Sequence, residues 1–242
     1  RCTIGGMIGN NACGSRALGY GRTADNVAGL HVALGNGEGL RTGPGAGGTT
    51  GQALTGLVDD HLAHVRTHFG RFSRQVSGYS LEHLLPEQGR RLDRFLVGSE
   101  GTLGVVLDAT VELVADPAAR QLLVLGYPSM AEAADAVPAI LEAGRDRGLL
   151  ACEGLDARIV DLVRAARTAV PELPPGAGWL FVEVAGGTAA EATDRAQAVE
   201  RVAGALGARL VGDPAEVVAL WRIREDGAGQ AARSLPTPPY SG

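Results

Sequence analysis

Two glycine-rich runs have the composition of loops that hold a flat, charged ligand. The first extends from Thr3 to Gly21 and the second from Val97 to Val106. Glycine has no Cβ and tolerates a positive φ, so such loops let the backbone approach a ligand at van der Waals distance. The runs also contain Ile4, Ile8 and Leu103, and such interleaved apolar residues are not typical of a disordered linker. Together the two runs predict one nucleotide or flavin site gripped from two sides.

The order of residues within the runs resembles a known family. The pattern G-G-x-x-x-x-N-A-x-G-x-x-x-x-x-Y-G is matched by Gly5, Gly6, Asn11, Ala12, Gly14, Tyr20 and Gly21. The pattern G-S-E-G-x-L-G is matched by Gly98, Ser99, Glu100, Gly101, Leu103 and Gly104. Both resemble motifs of the flavin-binding domain in the vanillyl-alcohol oxidase and p-cresol methylhydroxylase (PCMH) superfamily. The branch that looks most similar contains the FAD-linked forms of D-lactate dehydrogenase, glycolate oxidase and D-2-hydroxyglutarate dehydrogenase.

The resemblance implies FAD as the cofactor and assigns its binding residues. They are Gly5, Gly6, Asn10, Asn11, Gly14, Tyr20, Glu100, Gly101 and Val106. In this assignment Glu100 braces its loop from within, while backbone groups from Gly101 to Val106 contact the FAD. Asn10 and Asn11 are also compatible with simple turn residues, since asparagine tolerates the left-handed region. Tyr20 is also compatible with ring packing alone.

Arg224 is the candidate substrate-binding residue. Trp221, Arg224 and Glu225 match the W-x-x-R-E pattern of the resembled family, in which the arginine holds the substrate carboxylate bidentately. The family often has Thr or Ser four residues later, where this sequence has Ala228. The alternative is a solvated ion pair, the usual role of an arginine flanked by acids on a helix.

Periodicity predicts the elements around the two runs. Val27–Leu34 and Val105–Val114 predict strands, as does the short apolar run Phe95–Val97. The spacing of apolar residues over Thr50–Phe69 predicts one helix.

Strands and helices alternate in the second half of the chain. The predicted strands are Leu122–Tyr127, Leu149–Glu153, Trp179–Val184 and Ala208–Val211. The predicted helices are Met130–Leu141, kinked at Pro138, Leu155–Ala166 and Ala189–Leu206. This order predicts a ferredoxin-like, split βαβ sheet with an extra helix. By resemblance, this region is the cap that covers the flavin and shapes the substrate site.

The predicted fold class is therefore α+β, in two domains. Residues 1–116 are expected to be the C-terminal part of a PCMH-type FAD-binding domain, and residues 117–242 an incomplete ferredoxin-like cap or substrate domain. The chain begins inside a motif without an initiator Met, so we expect a piece of a longer protein. By resemblance, the catalytic base and any metal ligands belong to histidines beyond Gly242.

Composition limits the partners. A net charge of −5 gives no general electrostatic reason to bind nucleic acid. Cys2, Cys13 and Cys152 are odd in number and lack C-x-x-C spacing, which favours a reduced, cytoplasmic setting without an iron–sulfur or zinc ligand set. Attachment to the inner face of the membrane is left open, as is the oligomeric state. The wording of the first run and of RFSRQVSGYSLEHLLPE resembles large bacterial members with a fused iron–sulfur module.

Two further patterns are weighed and set aside. Gly43, Gly45 and Gly48 match G-x-G-x-x-G, but a dinucleotide fingerprint needs a preceding buried strand and an acid ~20 residues later. A glycine-rich connector is the preferred interpretation. The spacing of His61, His64 and His68 places them on one helix face, which is interpreted as exposed and polar rather than as a zinc site.

The sequence thus predicts part of an FAD-dependent oxidoreductase that transfers hydride from a D-2-hydroxy acid to the flavin. The alternative is a non-catalytic binding or assembly module derived from such a flavoprotein. A separate electron-transfer partner is compatible with either.

Overall fold

The computed structural model describes residues 2–43, 47–72, 77–166 and 170–230. The chain divides into two compact units, Arg1–Ala115 and Asp116–Gly242. In the ranges described, no helix combines the length and the apolar character needed to cross a membrane.

The first unit contains short helices around a three-stranded sheet. Its elements are α1 (Ile4–Gly9), α2 (Ala17–Tyr20), β1 (Val27–Leu34), β2 (Gly39–Arg41), α3 (Gly48–Asp60), α4 (Leu62–His68), α5 (Leu92–Leu96) and β3 (Gly104–Val111). The sheet order is β2-β1-β3, with both neighbours antiparallel to β1. β1 has the predicted bounds and buries Val27, Leu30 and Val32 in the core of the unit.

Two predicted elements of this unit are wrong in detail. The helix predicted over Thr50–Phe69 is interrupted at His61, which ends α3 and precedes α4. The strand predicted at Phe95–Val97 is largely the end of helix α5, which buries Leu92, Phe95 and Leu96. These three residues have i, i+3, i+4 spacing, whereas a run as short as Phe95–Val97 cannot distinguish helix from strand.

The second unit is a four-stranded antiparallel sheet with helices on both faces. Its elements are β4 (Ala119–Tyr127), α6 (Met130–Gly144), β5 (Leu149–Asp156), α7 (Ala157–Ala166), β6 (Gly178–Gly186), α8 (Ala189–Glu200), β7 (Gly207–Val211) and α9 (Pro214–Gln230). The sheet order β5-β6-β4-β7 is that of a ferredoxin-like fold, in which α6 and α8 are the two crossover helices, so α7 and α9 are additional. The predicted α+β fold class is confirmed.

The central strand β6 contributes to both cores of this unit because its two faces are covered. Leu180 and Val182 pack with α6 and α8, whereas Trp179 and Phe181 pack with α7 and α9. Alternation of side chains along a strand produces this division. The helix α6 begins at a cap in which the Ser129 hydroxyl accepts a hydrogen bond from the backbone N–H of Glu132 at 3.2 Å.

Candidate functional site

The first glycine-rich run folds into two short helices, α1 and α2, and a tight turn follows α1. Thr3 caps α1, because its hydroxyl accepts a hydrogen bond from the N–H of Gly6 at 3.1 Å. The helix ends at Asn10, and Asn11 then adopts a φ of 49°. Gly5 and Gly6 in the helix and Asn10 at its end are exposed.

Asn11 is buried and braces the turn that follows. Its Oδ1 accepts a hydrogen bond from the N–H of Ala24 at 3.0 Å, and the residue is 5% exposed. Thr23 adds two bonds to the carbonyl of Ala12, from its backbone N–H at 3.1 Å and from its hydroxyl at 2.9 Å. The turn interpretation of Asn11 therefore has direct support, and its role in cofactor binding stays a prediction.

The structure brings the two glycine-rich runs together through their backbones. The N–H of Gly98 donates to the carbonyl of Ile8 at 2.9 Å, and the N–H of Glu100 donates to that of Gly9 at 2.9 Å. Gly98 has a φ of +88°, and a Cβ built there would lie 3.2 Å from the Cβ of Asn11. Glycine is thus needed at this position, because the second run lies directly against the first.

A cavity of about 330 Å³ lies beside the first run. Its lining includes Ile4, Met7, Gly14, Tyr20 and Val111. A volume of this size is near the lower end for ligand pockets and is smaller than a flavin dinucleotide. Its apolar walls and the adjoining glycine backbone fit part of such a ligand.

The open glycines also fit close approach by a ligand. A Cβ built at Gly5, Gly14 or Gly101 would meet nothing within 4 Å, so the backbone there faces free space. Tyr20 is half-buried and lines the cavity, while its carbonyl accepts a hydrogen bond from Asn26 Nδ2 at 2.7 Å. Val106 lies in β3, and its side chain packs against the core of the unit. Any contact of Val106 with the cofactor would therefore be through its backbone.

Glu100 differs from its expected role. It has a φ of 52° and is exposed, and its carboxylate makes no hydrogen bond to the described part of the chain. Its backbone N–H, rather than its carboxylate, ties the two runs together. Bracing from within by the carboxylate is not seen, and the role of Glu100 toward the flavin stays a prediction.

A partly buried cluster of ionisable residues is absent from the sequence-based assignment. It consists of Arg22, Asp25, His83, Asp93 and Arg94. Burial, followed by Arg94 and Arg22, lowers the pKa of His83 to about 4. Burial opposes ionisation of Asp25, yet hydrogen bonds from Arg22 hold its pKa below the ordinary value. His83 and Arg94 were assigned no role from the sequence, although both lie in the segment between the two glycine-rich runs.

Arg224 lies on α9 of the second unit and pairs with an acid from β5. Its Nε–H donates to Glu153 Oε2 at 3.2 Å. The side chains are 39% and 22% exposed, respectively. Trp221, one turn earlier, packs edge-on against Phe181 with ring centroids 5.9 Å apart.

Two patterns were set aside in the sequence, the G-x-G-x-x-G motif that begins at Gly43 and the three histidines of the segment His61 to His68. β2 pairs antiparallel with β1, which does not match the parallel βαβ unit of a Rossmann fingerprint, and Gly45 lies outside the described residues. The rings of His64 and His68 stack at 4.2 Å. Within the ranges described, no group of three His, Cys, Asp or Glu side chains is placed to hold a metal ion.

Comparison with known protein families identifies the class to which this fold and site belong. Residues 1–43 match a family described as FAD binding domain, and residues 116–240 match the family described as FAD linked oxidases, C-terminal domain. The chain belongs to the FAD-linked oxidases. The resemblance to the flavin-dependent superfamily and the expectation of FAD are confirmed.

Curated relatives include enzymes that act on 2-hydroxy acids by name. D-2-hydroxyglutarate dehydrogenase of Escherichia coli is 31% identical over 68% of this chain and 17% of its own length. Glycolate oxidase subunit GlcD of Bacillus subtilis is 36% identical over 58% of this chain and 22% of its own. D-lactate dehydrogenase of Archaeoglobus fulgidus is 31% identical over 66% and 27%, respectively. The chain thus spans 17–27% of the length of these relatives.

A solved structure supports the fold. Alkyldihydroxyacetonephosphate synthase is similar with a TM-score of 0.57 over 94% of this chain and 38% of the other, at 14% identity. At this identity the likeness shows the fold alone.

Proposed function

We propose that this chain is part of an FAD-dependent dehydrogenase or oxidase that oxidises a D-2-hydroxy acid of the D-lactate, glycolate or D-2-hydroxyglutarate type. The observation that carries the proposal is the backbone docking of the two glycine-rich runs, at Gly98 with Ile8 and Glu100 with Gly9. Membership of the FAD-linked oxidases and the names of the relatives support the same reaction class.

Each unit has a separate proposed task. Residues 1–116 are the C-terminal part of the FAD-binding domain, in which the open backbone at Gly5, Gly14 and Gly101 admits the cofactor. Residues 117–242 are an incomplete cap, in which Arg224 holds the substrate carboxylate and so orients the α-carbon. When bound, FAD supplies the hydride acceptor for that carbon.

The proposed partners are the 2-hydroxy acid and an acceptor of electrons, either a separate electron-transfer protein or a fused iron–sulfur module. The proposed location is cytoplasmic, or peripheral to the inner face of the membrane. The odd number of cysteines (Cys2, Cys13 and Cys152) and their lack of C-x-x-C spacing support a reducing compartment.

The test is an anaerobic titration of the FAD-loaded protein, expressed from its complete natural reading frame. Visible absorbance of the flavin is followed while D-lactate, L-lactate, glycolate, D-2-hydroxyglutarate and L-2-hydroxyglutarate are added separately. We expect bleaching by glycolate or a D-acid and none by the matching L-acid. Full flavin loading with no bleaching by any of these acids would favour the non-catalytic module.

A further inference from the structure

Arg224 is held at one edge of its guanidinium group. The Nε–H donates to Glu153 Oε2, and Arg224 makes no second hydrogen bond within the part of the chain that the structure describes. Arginine has five N–H donors in a planar fork. Among the described residues, the four donors on its two Nη nitrogens thus have no acceptor and can serve a ligand. A carboxylate can accept from an arginine through two parallel hydrogen bonds.

The backbone that carries Arg224 is fixed by packing. Leu220 and Ile223 on the same helix are fully buried in the core shared with α7 and the sheet. Gly227 lies so close to Ile159 of α7 that a Cβ at Gly227 would collide with the Ile159 side chain. These contacts prevent α9 from rotating, so the backbone position from which the Arg224 side chain extends is defined.

The partner of Arg224 is equally fixed. Glu153 lies within β5, opposite Phe181 of the central strand β6. Trp221 of α9 packs on that same Phe181 ring. The ion pair therefore joins two rigid elements. By contrast, Glu142 and Arg145 form a pair at the end of one helix, with both side chains 70% exposed.

We propose that Glu153 is the positioning residue of Arg224: it holds the Nε edge so that the two Nη nitrogens stay oriented for the substrate carboxylate. The inference rests on the proposed function, because it requires Arg224 to bind that carboxylate. Holding a long side chain in one rotamer before binding removes part of the ordering cost of binding.

The two effects of a neighbouring carboxylate have opposite signs, which makes the proposal testable. Glu153 orients Arg224, which strengthens substrate binding, but its negative charge also repels the substrate anion. If orientation dominates, removal of Glu153 weakens binding. If charge cancellation dominates, removal of Glu153 strengthens it.

The experiment measures steady-state kinetics of the FAD-loaded protein from its complete reading frame with the acid that reduces it best. Glu153→Ala should raise KM about three- to ten-fold with kcat changed less than about two-fold, the loss of a hydrogen bond that orients substrate binding. Glu153→Gln keeps an acceptor for the Nε–H and should remain within about two-fold of wild type. Glu142→Ala is the matched control, because it removes an arginine's partner at an exposed pair, and should leave KM unchanged.

A double-mutant cycle shows whether Glu153 acts through Arg224. In an Arg224→Ala background, Glu153→Ala should change KM by less than about two-fold. Additive effects in the cycle, or a KM that falls or stays constant in Glu153→Ala, would overturn the positioning role. Should Glu153→Ala fail to fold, a KM in Glu153→Gln raised as far as in Arg224→Ala would also overturn it.

Failure of the proposed function gives a different result. If Arg224→Ala itself keeps the wild-type KM, the carboxylate-binding role of Arg224 is wrong, and the inference falls with it. If Arg224→Ala is impaired while Glu153→Ala behaves like Glu142→Ala, only the inference is wrong.

Discussion

Asn11 illustrates how a single motif residue can be required by the fold as well as by a ligand. It is buried, has a φ of 49° and satisfies the N–H of Ala24. A buried N–H without a partner costs about 1–3 kcal/mol, so this asparagine stabilises the turn even without a cofactor. The neighbouring Asn10, which is exposed, has no comparable task within the described residues and is the freer of the two to meet a ligand.

Arg224→Lys tests the geometry of the proposed carboxylate site. Lysine keeps the positive charge but loses the planar fork, so we expect kcat/KM to fall about ten- to a hundred-fold. Flavin content should remain at the wild-type level. The measurement is steady-state kinetics on several D-2-hydroxy acids with the flavin fully loaded. A loss in kcat/KM worth less than about 1 kcal/mol on every substrate would indicate that Arg224 forms only a solvated ion pair.

His83 should make the stability of the first unit dependent on pH. Its pKa in the folded chain is lowered to about 4 from 6.5, because burial and the nearby Arg94 and Arg22 disfavour the imidazolium. Between these values the unfolded chain binds a proton that the folded chain does not. The free energy of unfolding should therefore fall as pH falls from 6.5 toward 4, by about 1–2 kcal/mol after allowance for solvent screening.

The measurement is urea unfolding of the chain at several pH values, followed by far-UV circular dichroism. His83→Gln should flatten the pH dependence, and His61→Gln, at an exposed position, is the control for removal of a histidine. Both tryptophans, Trp179 and Trp221, lie in the second unit, so circular dichroism rather than tryptophan fluorescence is used to follow the first unit. If the free energy of unfolding of His83→Gln depends on pH as steeply as that of the wild type, His83 is not the group responsible.

At the scale of elements, the docking of the two glycine-rich runs depends on Gly98. Alanine there would be strained at φ +88° and would also press on Asn11 at 3.2 Å. Gly101 has a similar φ of +77° but free space around it, so Gly101→Ala isolates the backbone strain. We expect Gly98→Ala to lower the free energy of unfolding by about 2–3 kcal/mol and Gly101→Ala by about 1 kcal/mol.

Urea unfolding by circular dichroism measures this difference, and flavin content of the FAD-loaded protein is the second readout. Equal losses of unfolding free energy in Gly98→Ala and Gly101→Ala would mean that the contact with Asn11 adds no cost to the backbone strain.

The contact between α7 and α9 gives a second prediction at this scale. Alanine normally stabilises a helix interior relative to glycine by about 1 kcal/mol. At Gly227 the added Cβ would collide with Ile159, so Gly227→Ala should instead destabilise the second unit by about 1–3 kcal/mol. Gly56 in α3 faces free space, and Gly56→Ala should be neutral or stabilising.

Tryptophan fluorescence during urea unfolding reports the second unit and checks the Gly227 effect. In an Ile159→Ala background the penalty of Gly227→Ala should largely disappear, because the colliding side chain is gone. A stabilising effect of Gly227→Ala in the wild-type background would show that the helices pack less closely than described.

At the scale of the whole chain, we expect the residues present to form only part of the FAD site. The cavity beside the first run is about 330 Å³, smaller than the cofactor. The chain also spans only 17% of the length of D-2-hydroxyglutarate dehydrogenase of Escherichia coli. We therefore expect the isolated 242-residue chain to lose FAD during desalting, as judged by visible flavin absorbance per protein. Stoichiometric flavin carried through purification of this chain would contradict the expectation.

The sequence by itself determined the family, the cofactor and most of the elements. The glycine patterns carry this information locally, because a backbone that meets a ligand must lack Cβ atoms at set positions. Periodicity located β1, since alternate residues of a strand bury on one face. It could not separate helix from strand at Phe95–Val97, where the apolar run was too short.

Only the tertiary structure decided which of these residues meet. The bonds from Gly98 to Ile8 and from Arg224 to Glu153 join residues far apart in sequence, and no local pattern predicts such pairs. The same is true of His83, because the lowered pKa depends on burial and on arginines from other segments. Residue types and their spacing determine the local chemistry, whereas the burial of a side chain and its interaction partners are determined only by the tertiary fold.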